Sequence, residues 1–224
     1  MADLFNIGLS GLKASQTQLS VTGQNISNIN TPGYSRQTAL QEARQPSFSG
    51  SGYIGNGTSI VDVQRIHNQF LTNQLRSSTA MNAEANAFQS QLEELNTLIS
   101  GTATGITPGL QNYFNALQTA IEDPSSLPAR QLFLSEAQGL SSRFNTVQER
   151  LTVQNQFIGE QIGTLTGQIN RLATSIASYN DSIAKAAANG KQPNDLLDAR
   201  DEAIRQLSEY IGVTAVPQDN NGIN

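Results

Sequence analysis

Few side chains in these 224 residues could do chemistry. There is one histidine, His67, and there is no cysteine or tryptophan. Zinc is held by sets of thiolate, imidazole and carboxylate ligands, so a lone imidazole has no partners of its kind. Disulfides and thiolate metal sites are excluded. A serine nucleophile would have to share the same His67, and no Gly-x-Ser-x-Gly elbow surrounds any serine. Gly50-Ser51-Gly52 and Gly55-Asn56-Gly57 are glycine-rich, but neither leads into the Lys-Ser/Thr of a phosphate-binding loop. Glu93-Glu94 reads as a solvated helix face. Asp198, Arg200, Asp201 and Arg205 read as ordinary helix charges, with Asp201 and Arg205 at the favourable i,i+4 spacing. His67 reads as an ordinary side chain at a strand–helix junction. The expectation is no enzyme, no cofactor and no metal.

Composition narrows the class further. Hydrophobic residues are 37% and charged residues only 14%, with a net charge of -5. Disorder needs low hydrophobicity together with high charge, so polar helices fit this balance better. No basic cluster offers a footprint for nucleic acid. No apolar run approaches the roughly 20 residues of a membrane span. Met1-Ala2-Asp3-Leu4-Phe5 lacks the charged and apolar regions of a secretory signal, so export would need another route.

The elements that would position these residues are mostly helical. From Asp3 to Gln24, Phe5, Leu9, Leu12, Leu19 and Ile26 fall at four- and three-residue steps, with Gln16 and Gly23 between them. This is a narrow coiled-coil seam. Gly8, Gly11, Ala14 and Ser15 lie beside it and would let another backbone come close. Between Asp3 and Arg36 the only charge is Lys13. The bland alternative is an amphipathic helix folded onto its own domain. Asn25, Asn28 and Asn30 then cap the helix end. Thr31-Pro32-Gly33-Tyr34 predicts a type II turn, with Pro32 presetting φ and Gly33 supplying a positive φ.

Ser35 to Gly57 reads as extended and linker-like, and Thr58 to Ile66 as a short strand. Leu71, Leu75, Met81, Ala85, Phe88, Leu92, Leu95 and Ile99 trace one face of a helix from Asn68 to Ser100. Thr107 is the expected N-cap of a short helix that Asp123-Pro124 ends. From near Pro128, a four-three rhythm runs for about 60 residues, about 90 Å at 1.5 Å per residue. One four-four stutter at Ile158–Ile162 interrupts it. Gly159, Gly163 and Gly167 each weaken it by about 1 kcal/mol relative to Ala, which leaves a break open. Asn194 is the expected N-cap of a last helix that buries Leu196, Leu197, Ala203, Ile204, Leu207 and Ile211. Gly212 is its expected left-handed stop. Val213 to Val216 reads as a strand, and Asn221-Gly222 as a hairpin signal, as in a chain cut within a domain.

The fold class is therefore mainly α: a long antiparallel coiled-coil-like helical bundle with a short β segment. The N-terminal amphipathic helix stands apart from it or lacks order on its own. The expected domains are 1–34, an N-terminal amphipathic helix and Asn-rich turn; 35–57, an extended linker; and 58–224, an elongated bundle incomplete at its C-terminal end.

Leu9-Ser10-Gly11-Leu12 and the run Asn25 to Arg36 resemble the N-terminal signature of the flagellar axial proteins of rod, hook and hook-associated type. Within that superfamily, Asn73-Gln74-Leu75-Arg76, Asp123-Pro124, Ala129-Arg130-Gln131 and Asn194 to Asp201 look like the hook-associated protein 1 family. The resemblance implies a structural junction between hook and filament, in the extracellular part of the flagellum. Subunits of that family are exported without a cleaved signal. The implied partners are copies of itself, the hook protein, the next junction protein, the export apparatus and a C-terminal helix outside these residues. The implied assembly residues are Phe5, Leu9, Leu12, Leu19 and Ile26. The family turn is Asn25, Asn28, Asn30, Thr31, Pro32, Gly33, Tyr34 and Arg36. A soluble secreted coiled-coil binding module, or another rod or hook protein, is the other reading.

Overall fold

The computed structural model describes residues 2–101, 105–188, 190, 192–216, 218 and 222–223. Five helices are described: α1 (Ala2–Ser27), α2 (Gln69–Ser100), α3 (Ile106–Glu122), α4 (Leu127–Ala187) and α5 (Asn194–Leu207). Four short strands, β1 (Gln37–Ala43), β2 (Ser47–Phe48), β3 (Tyr53–Ile54) and β4 (Thr58–Arg65), lie between α1 and α2. The fold is mainly α, as the periodicity predicts. Two compact units divide it: Met1–Ala80 with Ile169–Asn224, and Met81–Gln168.

In the first unit, β1 and β4 form an antiparallel ribbon from Gln37↔Arg65 to Ala43↔Thr58, with a bulge at Leu40/Gln41. The stretch 35–57 is thus not irregular throughout. Gln37–Ala43 lacks the alternating β-branched residues that mark a strand, and it becomes one because β4 supplies the ladder. Strand propensity is largely such context. Within the same stretch, β2 and β3 pair as a minimal hairpin, with Phe48 edge-on to Tyr53 at 5.5 Å.

Helix α1 lies on this ribbon. The face it turns inward is Ile7, Ser10, Ala14, Thr17, Val21, Asn25 and Asn28, again at three- and four-residue steps. Ser10 and Ala14 are buried. Small side chains here permit close backbone approach. Gly57 has φ +83°, and a Cβ on it would stand 2.1 Å from Ser10 Oγ. The Thr58 amide donates to that Oγ at 3.1 Å.

Helix α5 buries Leu197, Ala203, Ile204 and Leu207 as its spacing predicts, with Ile183 of α4 fully buried in the same unit. Its ends differ from expectation. Pro193 is the N-cap and Asn194 the first helical residue. The Asn194 side chain is buried and donates to the Val63 carbonyl at 2.7 Å instead of capping. Ile211 is exposed, Gly212 does not take positive φ, and 213–216 is not a strand. The chain turns after Leu207 through hydrogen bonds from Ser208, Glu209 and Tyr210, so the helix is over before Gly212. Asn221 of the hairpin signal lies outside the described residues.

In the second unit, α3 packs on α4. Gly109 abuts Arg143 and Leu140, Tyr113 contacts Phe133 at 5.2 Å between ring centroids, and Ala116, Ala129 and Val147 are buried. The N-cap of α3 is Gly105 rather than Thr107. Arg143 Nη1 donates to the Gly105 carbonyl at 3.0 Å, so a tertiary contact sets the helix start. Gln154 on α4 donates to Gln91 and Glu94 on α2. Helix α4 runs unbroken through Gly159, Gly163 and Gly167. Three glycine penalties within 61 residues do not outweigh the propagation that surrounds them.

Candidate assembly site

The outward stripe of α1 is the seam read from the sequence. Phe5 is 72% exposed, Leu12 65%, Leu19 73% and Ile26 67%, and Leu9 is partly exposed. The inward stripe occupies the ribbon, so the helix has two faces and only one is covered. A mixed face with small Ser10 and Ala14 at its centre is packed, while the face with the larger apolar side chains stays in water. That is the reverse of an ordinary surface helix.

The turn that follows is built as its residues predict. The Tyr34 amide donates to the Thr31 carbonyl at 3.2 Å, and Gly33 has φ +78°. Asn25 clamps the start of β1: its Oδ1 accepts from the Gln37 amide at 2.8 Å, and its Nδ2 donates to the Gln37 carbonyl at 2.9 Å. The Tyr34 hydroxyl donates to the same Oδ1 at 2.8 Å. Asn28 accepts from Thr31 Oγ1 and donates to the Gln24 carbonyl. Asn30 and Arg36 are exposed, and the Arg36 carbonyl accepts from the Ile66 amide.

The turn is seated on α5. A Cβ on Gly33 would fall 2.7 Å from Glu202 Cβ, so only a residue without a side chain fits. A cleft of about 540 Å³ beside it is lined by Pro32, Tyr34, Tyr179, Asp195, Glu202 and Gln206, among others. Burial and the carboxylates of Asp195 and Asp198 raise the Tyr34 phenol above its usual 10.0, which keeps it a hydrogen-bond donor. Arg205 lies on Glu202 at 2.7 Å and lowers its carboxyl pKa below the usual 4.5.

The charges of α5 are not ordinary helix charges. Asp198 Oδ2 accepts from the Ser35 amide at 2.8 Å, and its Oδ1 pairs with Arg65 at 2.9 Å. Asp201 pairs with Arg65 at 2.6 Å and with Arg76 at 2.9 Å. Arg76 and Asp198 are buried, and Arg200, also buried, bonds Asn180. Burial lowers the Arg200 pKa. The expected Asp201–Arg205 pair does not form, because Asp201 is held by β4 and α2 while Arg205 turns to Glu202 and Glu209. One signal was available in the sequence. Asn194, Leu197, Asp198, Asp201 and Ile204 fall on one helical stripe, so two carboxylates sit on the buried face. A buried charge must be paired, but the spacing names no partner. Arg65 and Arg76 lie more than a hundred residues away. His67, in contrast, is half-buried, and its ring nitrogen lies 3.2 Å from the Gln69 side chain. Among the described residues no group of three metal-ligating side chains gathers.

Residues 90–224 match the family model of the flagellar hook-associated protein FlgK helical domain. The chain belongs to the FlgK family. Residues 5–34, which are α1 and its turn, match the flagella basal body rod protein model. Over 226 aligned positions the chain is 34% identical to flagellar hook-associated protein 1 of Salmonella typhimurium and 33% identical to that of Escherichia coli, all of this chain being covered. The Bacillus subtilis protein is 29% identical over 90% of the chain. The chain spans 41% of the length of each of these relatives. A solved structure, the flagellar hook junction protein FlgK from Burkholderia pseudomallei, superposes with a TM-score of 0.58 at 32% identity. That match covers 67% of this chain and 26% of the other.

Proposed function

We propose that this FlgK-family chain works by assembly, as part of a subunit that joins hook to filament outside the cell. It builds the junction through the outward seam of α1. What carries this reading is an uncharged apolar stripe exposed at Phe5, Leu12, Leu19 and Ile26, on a helix whose other face is already packed. Leaving such a stripe in water forfeits about 25 cal/mol for each Å² that a partner would cover. The occupants are neighbouring copies and the protein's own C-terminal helix. Contacts of one copy's seam with a different surface on the next are heterologous and build open arrays. The hook protein and the next junction protein abut the two ends of that array. The chain reaches its place through the flagellar export channel, and no catalytic step is required of it.

Leu12→Asp in the full-length protein tests the seam. The side chain is exposed, so folded stability moves by less than about 0.5 kcal/mol. Filament attachment and motility are lost, because a carboxylate would be buried without a partner. A Leu12→Asp strain that swims normally would overturn the reading.

A further inference from the structure

We propose that α5 is a latch that sets the orientation in which α1 presents its seam, with Asp198 as the positioning residue. The inference rests on the assembly reading of that seam. The contacts form one continuous path. Asp198 holds the Ser35 amide, two residues after Gly33, and with its other oxygen holds Arg65. Arg65 is the ladder partner of Gln37, and the Gln37 backbone is clamped on both sides by Asn25 near the end of α1. Asp201 ties Arg65 to Arg76 at the start of α2. Gly33 meets Glu202 one turn along the same helix. Arg76 of α2 and Asn194, Asp198 and Asp201 of α5, which have no role in the seam itself, thus converge on the ribbon and turn at the base of α1.

The packing of α1 does not supply this orientation alone. Its inward face buries only Ser10 and Ala14, two small side chains, and the rest is half-buried. Such a face fixes how close the helix lies to the ribbon and resists tilting weakly. Directional, charge-assisted hydrogen bonds at one end supply what the small contacts lack. An interface that adds copies in a repeating array needs each seam at one fixed angle, since an angular error accumulates from copy to copy.

The test is a distance measurement in the full-length protein. The chain has no cysteine, so spin labels at Ser20→Cys and Ala173→Cys, both exposed, report α1 against α4 within one unit. Any cysteine outside these residues is replaced by serine. The parent gives one narrow distance distribution. Asp198→Ala adds a second population of roughly 10% or more, and filament attachment falls with it. Asp198→Asn keeps an acceptor for the Ser35 amide but loses the ion pair, and gives a smaller second population. A single narrow distribution in Asp198→Ala overturns the latch. If Asp198→Ala does not fold, a parental distribution in Asp198→Asn overturns it. A second population with normal filament attachment also overturns it, because orientation then does not govern assembly. Leu12→Asp with a parental distribution and normal attachment would sink the seam reading while leaving the distance result standing.

Discussion

Glu202 stands between Gly33 of the turn and Arg205, and its carboxyl pKa is lowered mainly by the hydrogen bonds from Arg205. A carboxyl with a lowered folded pKa stabilises the fold at pH values above its unfolded pKa, near 4.5. That contribution is lost as pH falls through the lower folded value. The thermal midpoint of the parent should therefore exceed that of Glu202→Gln above about pH 5, and the gap should close as the carboxyl protonates on acidification. Melting curves across that range check it. A gap that stays constant into acid would mean that Glu202 acts through shape alone. At this scale the turn was legible in the sequence, because Pro32 and Gly33 can do little else. The ion pairs of Asp198 and Asp201 were not, because a carboxylate's partner depends on which distant segment folds against it.

Gly57, next to the start of β4, lies close against Ser10 of α1. Two separate penalties follow from Gly57→Ala. Its φ of +83° suits glycine, and an alanine there costs about 1–2 kcal/mol. The added Cβ also meets Ser10 Oγ. Together they should remove about 2 kcal/mol or more of stability in denaturant titration, and the cost of Gly57→Ala measured in a Ser10→Gly background should lose the steric part and keep the φ part. Complete loss of the cost in that background would show that backbone strain is negligible at residue 57. All five described helices were legible at this scale, since each carries its own apolar spacing. Strand β1 was not, because Gln37–Ala43 carries no strand pattern of its own. The N-caps of α3 and α5 were misread for a related reason: Thr107 and Asn194 have capping chemistry, but Arg143 holds Gly105 at the start of α3, and the Asn194 side chain is taken up by the Val63 carbonyl.

Charge is divided unevenly across the molecule. Met81–Gln168 has eight acidic and three basic side chains, while the other unit has ten of each. The whole net charge of -5 thus lies in one unit. The neutral unit carries the seam; in the proposed array, like charge there would oppose contact between copies. The two units also predict a localised response to damage. Asp201→Ala strands Arg76, whose Nε and Nη1 already have no partner among the described residues. Removing one member of a buried pair costs about 3–5 kcal/mol, and the low end applies because Asp201 is partly exposed. Hydrogen exchange should accelerate in 1–80 and 169–224 and stay unchanged in 82–167. Uniform acceleration would mean that the two units unfold as one.

The exposed seam of α1 and the Pro32–Gly33 turn after it follow from residue types and spacing, because an apolar period and a required positive φ are local properties of the chain. Which face of α1 is covered, and what holds the helix at its base, follow only from tertiary structure. Those answers depend on a ribbon with no strand signal and on carboxylates whose partners lie more than a hundred residues away. The local code specifies what each element offers, and long-range packing decides which offers are taken up within the chain and which, as at Leu12, stay exposed.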